Sequence, residues 1–252
     1  MGKKLIVANW KMNLSIGEAS LFIHKLDKLV SNNPSVEVVI APTSIALQSL
    51  QLQVQGHPFN LAAQNFFWQD SGAFTGEVSA AQLHGIVKYG IVGHSERRHI
   101  FGERDTVLRN KVQAAYRNGI IPILCIGETA RERADKETND VLRDQLTGGL
   151  TNITGQEADS LVVAYEPIWA IGSGKIPTSA DMERASKTIR RQVKTMFGEA
   201  TSEKVRVLYG GSVTVDNVTS VLSVEGIDGV LIGGASLDVY SFASMIKQAQ
   251  GQ

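Results

Sequence analysis

The sequence predicts a single-domain α/β fold in which eight parallel strands, each followed by a helical segment, close into a (β/α)8 barrel. Three observations predict it. Eight short apolar runs recur along the 252 residues, helical patterns fill most of the gaps, and no Pro- or Ser-rich linker divides the chain. Strand alternating with helix requires parallel pairing through right-handed crossovers. Eight such units in about 250 residues suit a closed barrel; an open doubly wound sheet is the alternative. The expected domain covers residues 1–252.

The runs are, in order, LIVANW (5–10), VEVVIAP (36–42), NLAAQN (60–65), YGIVGH (89–94), IPILCIG (121–127), LVVAYE (161–166), VRVLYG (205–210) and GVLIGG (229–234). Most are β-branched and apolar on successive positions, as strands covered on both faces should be. Ser15 with Glu18, Ser79 with Gln82 and Thr129 with Glu132 are candidate capping boxes that start helices. Asn118-Gly119 reads as a helix stop.

Composition narrows the function. Lys and Arg number 25 and Asp and Glu number 25, so no global field favours nucleic acid or an anionic membrane. No run approaches the roughly 20 apolar residues of a membrane span, and the apolar stretch near the N-terminus is too short for a secretion signal. The lone Cys125 sits in an apolar run and permits neither an intrachain disulfide nor a cysteine metal cluster. A reduced, cytoplasmic location follows as an expectation. His94 and His99 are five apart and no HExxH occurs, so a metal site is disfavoured.

Polar residues stand where strands end. The first run leads into Asn9 and Lys11, the fourth ends at His94 and the sixth at Glu166. In a parallel barrel these ends share one face, where active sites lie, so the four should converge. Glycine-rich turns accompany them. Gly172, Ser212, Gly233 and Gly234 could offer backbone N–H groups to a phosphate, helped by a short helix start after the eighth strand. GSGK is not a nucleotide-binding P-loop, because Ile176 stands where Ser or Thr is required.

One carboxylate, one imidazole, one ammonium and one amide suit proton abstraction beside a carbonyl. Glu166 would take the carbon-bound proton, and His94, Lys11 and Asn9 would donate to the resulting oxyanion. His94 would work uncharged, matched in acidity to an enediol. Glu96, beside Arg97 and Arg98, fits a supporting role better than that of a second catalytic acid. A Schiff-base aldolase would need a lysine inside a strand, and none of the eight runs has one.

ANWKMN (8–13), GHSERR (93–98), AYEPIWAIGSGK (164–175), YGGSV (209–213) and GGASL (233–237) together closely resemble the triosephosphate isomerase family, across the whole chain and in the right order. The resemblance implies interconversion of dihydroxyacetone phosphate and D-glyceraldehyde 3-phosphate, in glycolysis and gluconeogenesis, without a cofactor. The neutral histidine beside a glutamate base is a known pattern of this family. By resemblance, Lys11 and Asn9 hold and orient substrate, Glu96 holds Lys11, and Ile171 and Leu231 form an apolar cover over Glu166. A mobile loop spans 167–177, with Pro167 and Trp169 in its upstream hinge, Gly172 reaching the phosphate, and Lys175 and Pro177 in its downstream hinge. Pro177 and Ser173 depart from the family's usual residues; Pro177 would narrow the open-loop ensemble. The segment NFFWQDSGAFTGE (65–77), with Phe74, Thr75 near its tip and Glu77, is too aromatic for a solvated loop and suggests a homodimer. The rival readings are another phosphosugar isomerase and a non-catalytic phosphate-binding barrel.

Overall fold

The computed structural model of the chain describes residues 3–171 and 175–251. Eight parallel strands form a closed barrel in sequence order: β1 (Lys4–Asn9), β2 (Val36–Ala41), β3 (Phe59–Ala63), β4 (Tyr89–Val92), β5 (Ile121–Ile126), β6 (Val162–Tyr165), β7 (Arg206–Tyr209) and β8 (Gly229–Ile232). Closure is made by β8 pairing with β1, with Leu5 opposite Gly229. The open-sheet alternative is excluded. Strands β3, β4 and β6–β8 stop before the polar residues and glycines that end the predicted runs. β1 starts one residue earlier than predicted, at Lys4, whose ammonium donates to Leu222 O and Ile227 O.

The continuous apolar runs conceal a period of two. Leu5, Val7, Val39, Ile91, Ile123, Val162, Ala164 and Leu208 pack together inside the barrel. Their neighbours Ile6, Ala8, Val38, Ile40, Leu124, Val163 and Val207 pack against the helices. Both faces are covered, which is why alternation disappears from the sequence. The three expected capping boxes form, and Thr154–Glu157 and Thr178–Asp181 add two more.

The interior also carries a polar layer toward the N-terminal ends of the strands. Glu37 shares the inward parity of Val39. Its Oε1 accepts from Tyr89 Oη and Lys88 Nζ at 2.7 Å each, and its Oε2 from Arg206 Nη1 at 2.8 Å. Burial pushes the Glu37 carboxyl up, but the bonds from Lys88, Tyr89 and Arg206 outweigh it and hold the group below its ordinary value.

Candidate active site at the C-terminal mouth of the barrel

Inward parity continues past the strand ends and decides which side chains meet. Leu5 and Val7 point inward, and so does Asn9; Val162 and Ala164 point inward, and so does Glu166. His94 is different. With Tyr89 and Ile91 inward, an unbroken strand would turn residue 94 toward the helices. Gly93 interrupts it at φ 71°, a backbone state that costs glycine little. His94 thereby joins the wall of the central cavity of about 340 Å3, together with Asn9, Lys11, Glu166, Ser212, Gly233 and Gly234. The residues singled out at the strand ends therefore converge on one cavity. Gly172 lies outside the described residues.

Glu166 is 2% exposed. Its Oε2 accepts from the Ser95 backbone N–H at 2.8 Å. Its Oε1 lies 3.2 Å from His94 Nε2, outside hydrogen-bond geometry, and has no hydrogen-bond partner among the described residues. A buried carboxylate oxygen left unsatisfied is a strong acceptor held in reserve. His94 caps the short helix Ser95–His99, and its Nδ1 accepts from the Glu96 N–H at 3.2 Å. An accepting Nδ1 carries no proton, which leaves Nε2, facing the cavity, as the ring's donor.

Lys11 adopts φ 52°, a left-handed state rare for a residue with a Cβ. Its N–H donates to Asn9 Oδ1 at 3.1 Å, and its carbonyl accepts from Gln64 Nε2 at 2.8 Å. Gln64 donates from the same nitrogen to Ala41 O, so it clamps the unusual turn to β2. The Lys11 ammonium lies 2.7 Å from Glu96 Oε1. Gly233 borders it closely: a Cβ there would stand 3.3 Å from Lys11 Cε. Gly234–Ser236 forms a single helical turn after β8, the short helix start expected from the sequence. Ile171 and Leu231 also line the cavity, and Ser212 Oγ donates to Ala170 O at 3.1 Å.

Several contributing residues escape sequence reasoning. A Cβ at Gly127 would fall 1.8 Å from the Glu166 carbonyl oxygen, and one at Gly210 would fall 2.9 Å from Glu166 Cγ. Both glycines let neighbouring strands approach the acid. Their only sequence signal is position, just after β5 and β7. Glu128 is fully buried, and its Oε1 accepts from Trp169 Nε1 at 2.8 Å and Tyr165 Oη at 3.1 Å. Burial raises its carboxyl above the ordinary range, against the opposing pull of those bonds. It thereby ties down the single helical turn Ile168–Ala170, which begins after Pro167. Lys175 is exposed and Pro177 buried on the far side of the same segment. In the segment after β3, residues 71–77 are exposed, including Phe74, Thr75 and Glu77, and the Phe74 and Phe67 rings lie 4.4 Å apart. Arg97 pairs within its own chain, 2.5 Å from Glu103. Among the described residues no group of His, Cys, Asp or Glu could hold a metal ion.

Comparison with known proteins agrees with this geometry. Residues 4–249 match the family model described as triosephosphate isomerase. The triosephosphate isomerase of Citrifermentans bemidjiense is 44% identical over 99% of this chain and 100% of its own. That of Thermodesulfovibrio yellowstonii is 42% identical over 98% and 100%. The crystal structure of triosephosphate isomerase from Bartonella henselae superposes with a TM-score of 0.87 at 35% identity, covering 98% of both chains.

Proposed function

The chain belongs to the triosephosphate isomerase family and is an isomerase acting on a triose phosphate, and we propose that Glu166 and His94 carry its chemistry. The observation that supports this most is the buried Glu166 Oε1, which lies 3.2 Å from His94 Nε2 and has no hydrogen-bond partner among the described residues. With dihydroxyacetone phosphate in the cavity, Glu166 removes a proton from the hydroxymethyl carbon. The C–H electron pair becomes the new C=C bond, and the carbonyl pair moves to oxygen. The Nε2–H of His94 and the ammonium of Lys11 meet that developing charge.

His94 then gives its Nε2 proton to the new oxyanion and takes the proton of the neighbouring hydroxyl. The protonated Glu166 returns its proton to the adjacent carbon, which leaves D-glyceraldehyde 3-phosphate. Asn9 orients the oxygens and Glu96 holds Lys11. Ser212, Gly233 and Gly234, with Gly172, bind the phosphate through backbone N–H groups. Ile171 and Leu231 keep water from the base. Closure of 167–177 would shut out water, so that the enediolate is protonated before it can expel phosphate.

The active form is a homodimer in this reading. Met12, Ile45, Phe74, Ile100 and Phe101 are exposed in the segments that follow the first four strands. Too much apolar surface gathers at one end for a solvated face. A cleft of about 240 Å3 lined by Met12, Leu47, Gln64 and Gly76 opens beside Lys11; it suits the tip of the 65–77 loop from a second copy. Cys125 is free and buried, and no helix among the described residues is long and apolar enough to cross a membrane. A cytoplasmic location fits both.

Glu166→Asp tests the assignment. The carboxylate retracts by about one methylene, and a displacement near 1 Å costs on the order of 100-fold. The variant should lose at least that much kcat in isomerisation of glyceraldehyde 3-phosphate, with an unchanged melting temperature. Turnover indifferent to Glu166 would refute the reading.

A further inference from the structure

A second cavity, of about 420 Å3, opens outside the barrel wall behind Tyr165. Arg133, Lys136 and Arg184 bring three positive charges to it, and Asp181 is the one carboxylate among its lining residues. That carboxylate is already engaged. It accepts from the Thr178 N–H at 3.2 Å, the Thr178 hydroxyl at 2.9 Å and Arg133 Nη2 at 3.1 Å. Among the lining residues three cations face one carboxylate, and Glu128, outside the lining, pairs loosely with Arg133 alone. The Lys136 side chain has no hydrogen bond or ion pair among the described residues, and Arg184 reaches Asp181 only at 3.8 Å.

Neutral donors face the same space. The Thr188 hydroxyl donates to Asn139 Oδ1 at 2.9 Å, which leaves the Asn139 amide N–H groups free to donate. Helix 138–150 begins there with no side-chain cap on its first amides, and its positive end adds to the field. Excess positive charge, spare donors and a concave space are the chemistry of an oxyanion site.

One lining residue, Arg133, also contacts the upstream part of the 167–177 segment. The Arg133 guanidinium stacks 4.1 Å over the Trp169 ring. Its Nη1 lies 3.8 Å from Glu128 Oε1, the oxygen that holds the Trp169 indole N–H. We propose that this cavity binds a small phosphate-bearing polyanion through Arg133, Lys136 and Arg184, and that Trp169 senses the occupant because both compete for Arg133. Any effect on turnover rests on the loop role proposed above; the binding does not.

The test is a titration of the whole enzyme with inorganic pyrophosphate at constant ionic strength. The barrel-mouth cavity is kept saturated with a phosphate-bearing enediolate analogue. The readout is the Trp169 indole N–H resonance, assigned with Trp169→Phe. A saturable shift is expected, with its midpoint moved at least tenfold higher in Lys136→Gln/Arg184→Gln. Both side chains are exposed, so the fold and the melting temperature should be retained, and Lys136→Arg/Arg184→Lys should restore the midpoint. Absence of a shift, a shift with the same midpoint in the double variant, or a shift seen only without the analogue would each overturn the site. Loss of isomerase activity on Glu166→Asp is read separately, so failure of one proposal does not imply failure of the other.

Discussion

Gly127→Ala should disable the enzyme through a residue that makes no side-chain contact with substrate. The added Cβ would lie 1.8 Å from the Glu166 carbonyl oxygen and 2.6 Å from its carbonyl carbon. Ordinary contact begins near 3.4 Å, so the backbones must part by 3.4 − 1.8 = 1.6 Å. Gly127 cannot easily yield. Its N–H donates to Gln145 Oε1 at 2.8 Å, and its carbonyl accepts from Gln145 Nε2 at 3.2 Å. The displacement therefore falls on Glu166, whose N–H is bonded to Ile126 O at 2.8 Å. A shift of about 1 Å at the base costs on the order of 100-fold in rate, or about 2.7 kcal/mol of barrier. Overpacking adds about 1–3 kcal/mol of destabilisation, which lowers Tm by roughly 2–12 °C in a domain of this size. Steady-state kinetics and calorimetry on the variant read both effects. The rate loss should appear in kcat, because the interaction lost acts in the transition state. A kcat within threefold of wild type with an unshifted Tm would refute the close-approach argument.

Three other expectations follow from the same contacts. Nitrogen-15 spectra of the imidazole at pH 7 should show His94 protonated at Nε2 alone; a proton on Nδ1 contradicts the bond from the Glu96 amide. Because the folded-state pKa of Glu37 is depressed, its contribution to stability is present above the ordinary carboxylate value of 4.5 and is lost as pH falls below it. Glu37→Gln should cost about 2–3 kcal/mol at neutral pH and flatten the acid limb of a stability–pH curve; an unaltered limb would assign that loss to other carboxylates. Sedimentation should give a dimer that Thr75→Arg weakens, and a monomer at micromolar concentration in wild type would end the dimer proposal.

Much of the fold was legible because a barrel strand is written as a short apolar run and its helix as a cap followed by a longer periodic segment. Ser15, Ser79 and Thr129 announced helix starts through local chemistry that needs no tertiary context. Asn9, Lys11 and Glu166 stood out because a charged or amide group at the end of such a run has no place in a core. His94 was found for the same reason, but its direction was not. Strand parity sends it to the wrong face, and the left-handed turn at Gly93 corrects it.

The sequence alone thus determined the alternation of eight strands with helices and the chemical types at the strand ends, since hydrophobic period and strand-end polarity are local properties, while the pairing of β8 with β1 decided closure over an open sheet. Only the tertiary structure decided how those groups are held. Gln64 clamping Lys11 and the Ser95 amide on Glu166 reach past an intervening strand, whereas Glu128 on Trp169 and the glycines at 127 and 210 are contacts between neighbouring strand ends. Closing the sheet brings neighbouring strands within a side chain's reach, and the bulk permitted at each crossing is a property of the pair, recorded in neither strand by itself.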